Sequence, residues 1–171
     1  MYAYLVENKW HKGMQQSRQK KQKYLGRVHS LQKIQSNNFS KDLNQEIKKY
    51  CNSKTTKQIL CDLVIFELIN HNFTLKEKVL EQGNFIVDLK KSQVYEKQTQ
   101  KPICLELNNN FLTNETLRPL INYNLPINKT QRQITHHLAN ILVSAGIQPD
   151  KEVFIELSKK VLNSLNNPSS K

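Results

Sequence analysis

Glycine and proline are scarce in this 171-residue chain, at 4 and 5 residues. That scarcity excludes collagen-like and Pro/Gly-rich disordered architectures. With glycines only at positions 13, 26, 83 and 146, no phosphate-cradling glycine loop can be assembled. Cysteine is limited to Cys51, Cys61 and Cys104, an odd number without CxxC spacing. Neither a disulfide framework nor a zinc knuckle is expected, and the thiols read as reduced in an intracellular, cytoplasmic protein. The longest apolar stretch, from Ile59 to Ile69, is interrupted by Asp62 and Glu67 and falls short of the ~20 residues a bilayer crossing needs. The opening MYAYLVENKW turns polar before a secretory h-region can form. Acidic residues are in short supply too, with 14 Asp plus Glu against 26 Lys plus Arg, a net charge of +12.

The basic surplus is concentrated at one end. Residues 1–35 hold eight cationic side chains (Lys9, Lys12, Arg18, Lys20, Lys21, Lys23, Arg27 and Lys33) against the single acid Glu7, a surplus of seven. The other 136 residues share a surplus of only five. Such a footprint attracts polyanions whatever the fold. Within it, Tyr2, Tyr4 and Val6 alternate with Ala3, Leu5 and Glu7, and Tyr24, Gly26 and Val28 alternate with Leu25, Arg27 and His29. Period-2 patterning of this kind predicts two strands. The polar stretch Asn8 to Lys23, with Gly13 as turn residue, would close them into an antiparallel hairpin. A two-stranded ribbon fits the major groove of B-form DNA, where its cations reach flanking phosphates. Trp10 suits either stacking on a base or sugar or anchoring the hairpin to the body.

The string YAYLVENKWHKGMQQSRQKKQKYLGRV resembles the N-terminal hairpin of some DDE-type insertion-sequence transposases. The resemblance rests on Tyr4, Leu5, Val6 and Glu7, on Ser17, Arg18 and Gln19, and on Tyr24, Leu25 and Gly26. It spans about 30 residues, and the chain is too short for a DDE catalytic core. What it implies is DNA contact through the hairpin, not transposition.

The remainder predicts an α+β body over residues 36–168. Residues 30–40 read as a polar linker. Ser40 is expected to cap a helix over 41–51, and Thr55 or Thr56 to open a buried helix reaching Asn70, with Ile59, Leu60, Leu63, Val64, Phe66 and Ile69 around it. Phe85–Leu89, Gln93–Tyr95 and Pro102–Leu107 read as strands, with the polar tip EKQTQK taken as flexible. Thr113 or Asn114 would cap a short helix bearing Leu117, Leu120 and Ile121. A C-terminal helical hairpin follows, its first helix starting at Asn128 or Thr130 and ending at Gly146, its second placing Pro149 at N1. Lys129, Gln131, Arg132 and Gln133 at its head are of base-reading type, though most such pairs are scaffolding. The tail NNPSSK reads as disordered, with 169–171 outside the body.

Enzymatic chemistry finds little support. His136 and His137 are adjacent and cannot share a helix face as an HExxH pair does. Neither Gly-x-Ser-x-Gly nor a Cys/His signature nominates a nucleophile. A restriction-like Mg²⁺ site would need Asp88 and Glu106 on neighbouring strands, but Asn108 stands where that pattern wants lysine. The expectation is therefore a non-catalytic nucleic-acid-binding protein without metal or cofactor, DNA favoured over RNA. It would grip phosphates through Lys9, Trp10, Lys12, Arg18, Lys20, Lys21, Lys23 and Arg27. An RNA- or ribosome-associated factor is the alternative, the nuclease a second one. A homodimer or another protein partner is compatible with the same composition.

Overall fold

A computed structural model describes residues 1–11, 16–43, 45–126 and 128–166, with side chains described except at 8–11, 16–21 and 165–166. The N-terminal alternation forms β1 (Tyr2–His11) and β2 (Gln16–Ser30), which pair antiparallel from Tyr2 opposite Arg27 to His11 opposite Gln16. Both strands run longer than the alternation alone marked out. The expected turn residue Gly13 lies outside the described residues.

Next come α1 (Phe39–Asp42), α2 (Ile47–Ser53) and α3 (Thr56–Asn70). The single helix expected over 41–51 is therefore two short ones. Asn38, not Ser40, caps the first: its side chain accepts from Ser40 N, and Leu43 at the other end is extended. Phe39 drives this arrangement. It is buried edge-on against Tyr50 and Phe66, which pulls the chain inward before the Leu43–Ile47–Tyr50 periodicity begins. Helix α3 opens with a Thr55–Gln58 capping box and is buried nearly all round by Ile59, Leu60, Leu63, Val64 and Leu68; Ile69 turns out to be exposed.

A four-stranded antiparallel meander follows, made of β3 (Thr74–Lys76), β4 (Val79–Gln82), β5 (Phe85–Asp88) and β6 (Gln93–Glu96). Strands β3 and β4 were not legible beforehand, being three and four residues long. The tip EKQTQK closes as a hydrogen-bonded turn, with Lys97 N donating to Asn84 O at 2.7 Å and Gln98 N to Asn84 Oδ1 at 3.2 Å.

The second sheet has the order β1-β2-β7-β8, where β7 is Ile103–Leu107 and β8 is Asn110–Leu112. Asn108 and Asn109, at φ 49° and 62°, make the two-residue turn joining β7 to β8, the left-handed pair a tight hairpin demands. Strand β2 runs parallel to β7 through Arg27–Ser30 and Ile103–Glu106, so hairpin and body share one sheet. Gly26 makes this junction possible. It has φ +133°, and a Cβ there would lie 2.5 Å from the Pro102 carbonyl oxygen and 2.6 Å from Ile103 Cα. Only glycine lets β2 approach β7 so closely.

Helices α4 (Asn114–Ile121), α5 (Gln131–Ser144) and α6 (Lys151–Asn166) complete the fold. Thr113 and Thr130 cap the first two, each in a capping box. At the expected end of α5, Gly146 (φ +75°) and Ile147 donate back to Val143 and Leu142, a Schellman arrangement. Pro149, however, stands two residues before α6 and not at its first position; Asp150 accepts from Phe154 N at 2.9 Å instead. One core joins all of these, from Phe39 and Leu60 through Leu105 and Leu112 to Leu138 and Leu157. The molecule is thus α+β, and among its described residues no helix is long and apolar enough to cross a membrane.

Candidate nucleic-acid interface

Strand β1 is the edge of its sheet and, among the described residues, pairs with β2 alone. Outward from the pairing of Ala3 with Gly26, the two strands are paired with each other and, among the described residues, with no third strand. At ~3.3 Å per residue, the stretch from Ala3 to His11 reaches about 25 Å from the sheet. Its register sets Glu7 opposite Lys21 and Lys9 opposite Arg18, with irregularities between Ala3 and Tyr4 and between Glu7 and Asn8. Such bulges add right-handed twist and make an edge a poorer template for aggregation.

The expected phosphate-gripping residues divide by position. Lys12 lies outside the described residues, and Lys9, Trp10, Arg18, Lys20 and Lys21 are placed by backbone only, on β1 and β2. Lys23 and Arg27 are seen in full. Lys23 Nζ meets Glu115 Oε1 of α4 at 2.5 Å while its side chain stays 60% exposed; the lysine's hydrogen bond holds the Glu115 carboxyl below its ordinary range. Lys23 therefore tethers the ribbon to α4. Arg27 is exposed and has no carboxylate partner among the described residues. Burial, and then the Arg27 charge, depress the neighbouring His29 imidazole, which packs 4.6 Å from the Phe85 ring and joins the two sheets.

The root of the ribbon carries aromatic side chains. Tyr4 and Tyr24 face each other across the strands at 5.5 Å between ring centroids, and Tyr2 stands 6.1 Å from Tyr24. All three rings are exposed. Cross-strand aromatic pairs contribute roughly 0.2–1 kcal/mol each to an otherwise marginal two-stranded ribbon.

A second basic surface lies at the head of α5. Lys129, Arg132, Gln133, His136 and His137 line an open cleft of about 540 Å³ together with Pro126. His137 stacks on Tyr123 at 6.4 Å, and His136 is engaged by Asn140.

The nuclease residues are not assembled. Asp88 ends β5 in the meander, and its Oδ1 accepts from Lys91 N at 2.9 Å. Glu106 sits on β7 in the other sheet and accepts from the Ser30 hydroxyl. Among the described residues no group of three or more His, Cys, Asp or Glu side chains is placed to hold a metal ion. The thiols are not activated either: burial, and then Glu106, push Cys104 up to about 11.

One cluster was missed altogether. Glu67 on α3 is 2% exposed, and its Oε1 receives Lys33 Nζ at 2.9 Å and Asn108 Nδ2 at 2.8 Å, with His71 Nε2 3.4 Å away. Burial pushes this carboxyl up, and the His71, Lys33 and Asn108 contacts more than offset it, so it lies below its ordinary range. The Glu-x-x-x-His spacing was a signal available in the sequence, but Lys33 and Asn108 arrive from distant segments. Beside the cluster, Ser30, Lys33, His71, Glu106, Asn108 and Asn109 line a polar cleft of about 530 Å³. It lies at the carboxyl ends of the parallel strands β2 and β7. Lys33 thereby fixes the segment after β2 to the central helix, helped by Ile34 and Gln35 N–H groups on Asn70 O.

Comparison with protein-family models, with curated proteins and with solved structures finds no match.

Proposed function

We propose that the protein is a non-catalytic nucleic-acid-binding protein that grips phosphates through its N-terminal ribbon, with DNA as the preferred ligand. The observation that carries this reading is a contrast in charge balance, the body setting many of its lysines beside acids and the ribbon having almost none in its sequence. In the body, Lys33, Lys54, Lys76, Lys97 and Lys159 are each held by an acid. In the ribbon, seven cations face Glu7 as the only acid in its sequence.

A ribbon about 25 Å long suits a groove ~12 Å wide. Cations along both strands would displace condensed counterions, so affinity would come from phosphate contacts and fall steeply with salt. Preference for DNA rests on the transposase-like residues Tyr4–Glu7, Ser17–Gln19 and Tyr24–Gly26. The test is the triple substitution Arg18→Ala, Lys20→Ala, Lys21→Ala, titrated against duplex DNA and structured RNA across a salt series. A large loss of affinity with a shallower salt slope is expected. Unchanged binding would refute the reading, and tighter binding to structured RNA would transfer it to RNA.

A further inference from the structure

We propose that Tyr2, Tyr4 and Tyr24 form a stacking platform for unpaired bases, so that the ligand gripped by the ribbon includes a single-stranded stretch. This rests on the nucleic-acid reading and specifies its substrate.

Exposed aromatic rings are common singly, but three in one cluster are not what a solvated surface needs. Tyr2, Tyr4 and Tyr24 are 61%, 49% and 47% exposed. Their rings are tilted by 48° and 59° to one another, so they do not close over each other as a sealed stack. Val6, also exposed, continues the same face by strand alternation.

Two contacts at the root oppose an inward roll of this face. Lys23, beside Tyr24 and pointing to the other side of the ribbon, is tied to Glu115 of α4. The Gly26 contact with Pro102 and Ile103 fixes the strand just beyond. The tyrosines are thereby held outward by the body itself. Arg27 stands directly across from Tyr2, exposed and without an acidic partner among the described residues.

Charge complementarity selects the occupant. Aromatic faces beside the exposed Arg27, on a strand pair whose sequence is rich in cations, match a chain that alternates flat bases with phosphates. A fully paired duplex offers the phosphates but keeps its base faces stacked inside. A second copy of this chain would bring its own basic ribbon against this one.

The experiment uses the full chain with oligo(dT), oligo(U) and a duplex of equal length, at fixed salt. Changing Tyr2, Tyr4 and Tyr24 together to Leu keeps apolar bulk and removes the aromatic faces. The variant should bind oligo(dT) and oligo(U) about tenfold or more weakly, with duplex affinity and salt slope nearly unchanged. The matching Tyr→Phe variant should bind single strands as the parent does, which separates loss of stacking from loss of folding. Strands carrying 5-iodouracil should crosslink to one of the three tyrosines. The proposal is overturned if the leucine variant binds single strands like the parent, or if the parent forms a dimer that shields these rings. If the parent binds duplex but no single strand, the platform fails while the phosphate-gripping ribbon stands; if it binds neither, both fall.

Discussion

The ribbon and the body are built by opposite rules, although they share a sheet. The body hides most of its apolar side chains and places many of its lysines beside acids: Asp62 serves Tyr50 and Lys54, Glu81 serves Lys76 and Lys97, and Glu67 serves Lys33. The ribbon leaves Tyr2, Tyr4, Leu5, Val6 and Tyr24 exposed and carries seven cations against one acid in its sequence. Burial sustains the first region. Two-strand pairing and a clamp at its root sustain the second. On the proposal made above, a region that exposes rings and gathers cations in its sequence is shaped by its ligand.

The sharpest way to break the contrast is at the clamp. Gly26→Ala forces a Cβ onto the Pro102 carbonyl and Ile103 Cα at a positive φ. We expect a loss of about 3 kcal/mol or more in denaturant unfolding, together with lost binding, because overpacking and backbone strain add here. Gly146→Ala, against Leu107 at 2.8 Å from its Cβ, should cost similar stability, about 3 kcal/mol, through the body alone. If binding measured on its folded fraction is unchanged while Gly26→Ala abolishes it, the two regions are functionally separable.

Next in size is Glu67→Ala, which leaves Lys33 without its acceptor and Asn108 Nδ2 with Gly146 O alone. Removing one partner of such a buried pair costs about 3 kcal/mol, read as a shift in urea midpoint. The same carboxyl gives the body a pH signature. Its folded value lies below its ordinary one near 4.5. Its stabilisation is therefore complete above that ordinary value and is lost as pH falls through the lowered one. Acid titration of stability should steepen below pH 4.5 in the parent and flatten in Glu67→Gln.

The smallest effect belongs to the tether. Lys23→Ala removes an exposed ion pair with Glu115 and should cost under ~1 kcal/mol. Hydrogen exchange in α4 is the measurement, and a larger loss would mean that the ribbon contributes more to the body than its exposure implies.

The sequence told most where physics is local. Three helix starts were legible to within two residues, each cap falling on one of the two candidates (Thr55 of Thr55 or Thr56, Thr113 of Thr113 or Asn114, Thr130 of Asn128 or Thr130), and Gly146 announced a helix end. The alternation of Tyr2, Tyr4 and Val6 announced the ribbon. Strands β3, β4 and β8 are three or four residues long, too short for periodicity to accumulate. The Gln82-Gly83-Asn84-Phe85 and Leu107-Asn108-Asn109-Asn110 turns were the available clue to two of their pairings. The parallel pairing of β2 with β7 joins residues more than 70 positions apart, and no local pattern encodes it. The same distance hid the Glu67 cluster, whose members come from α3, the segment after β2 and the β7–β8 turn. Phe39 misled in the other direction, since its burial split a helix that Leu43, Ile47 and Tyr50 made look continuous.

The most direct test of the central claim is a salt titration of duplex DNA and single-strand binding, comparing the full chain with the Arg18→Ala, Lys20→Ala, Lys21→Ala variant. The account predicts steep salt dependence for the parent, and weak, shallow binding for a variant that melts within a few degrees of it. A variant that binds as tightly and as salt-sensitively as the parent would contradict the account and move the function away from the ribbon.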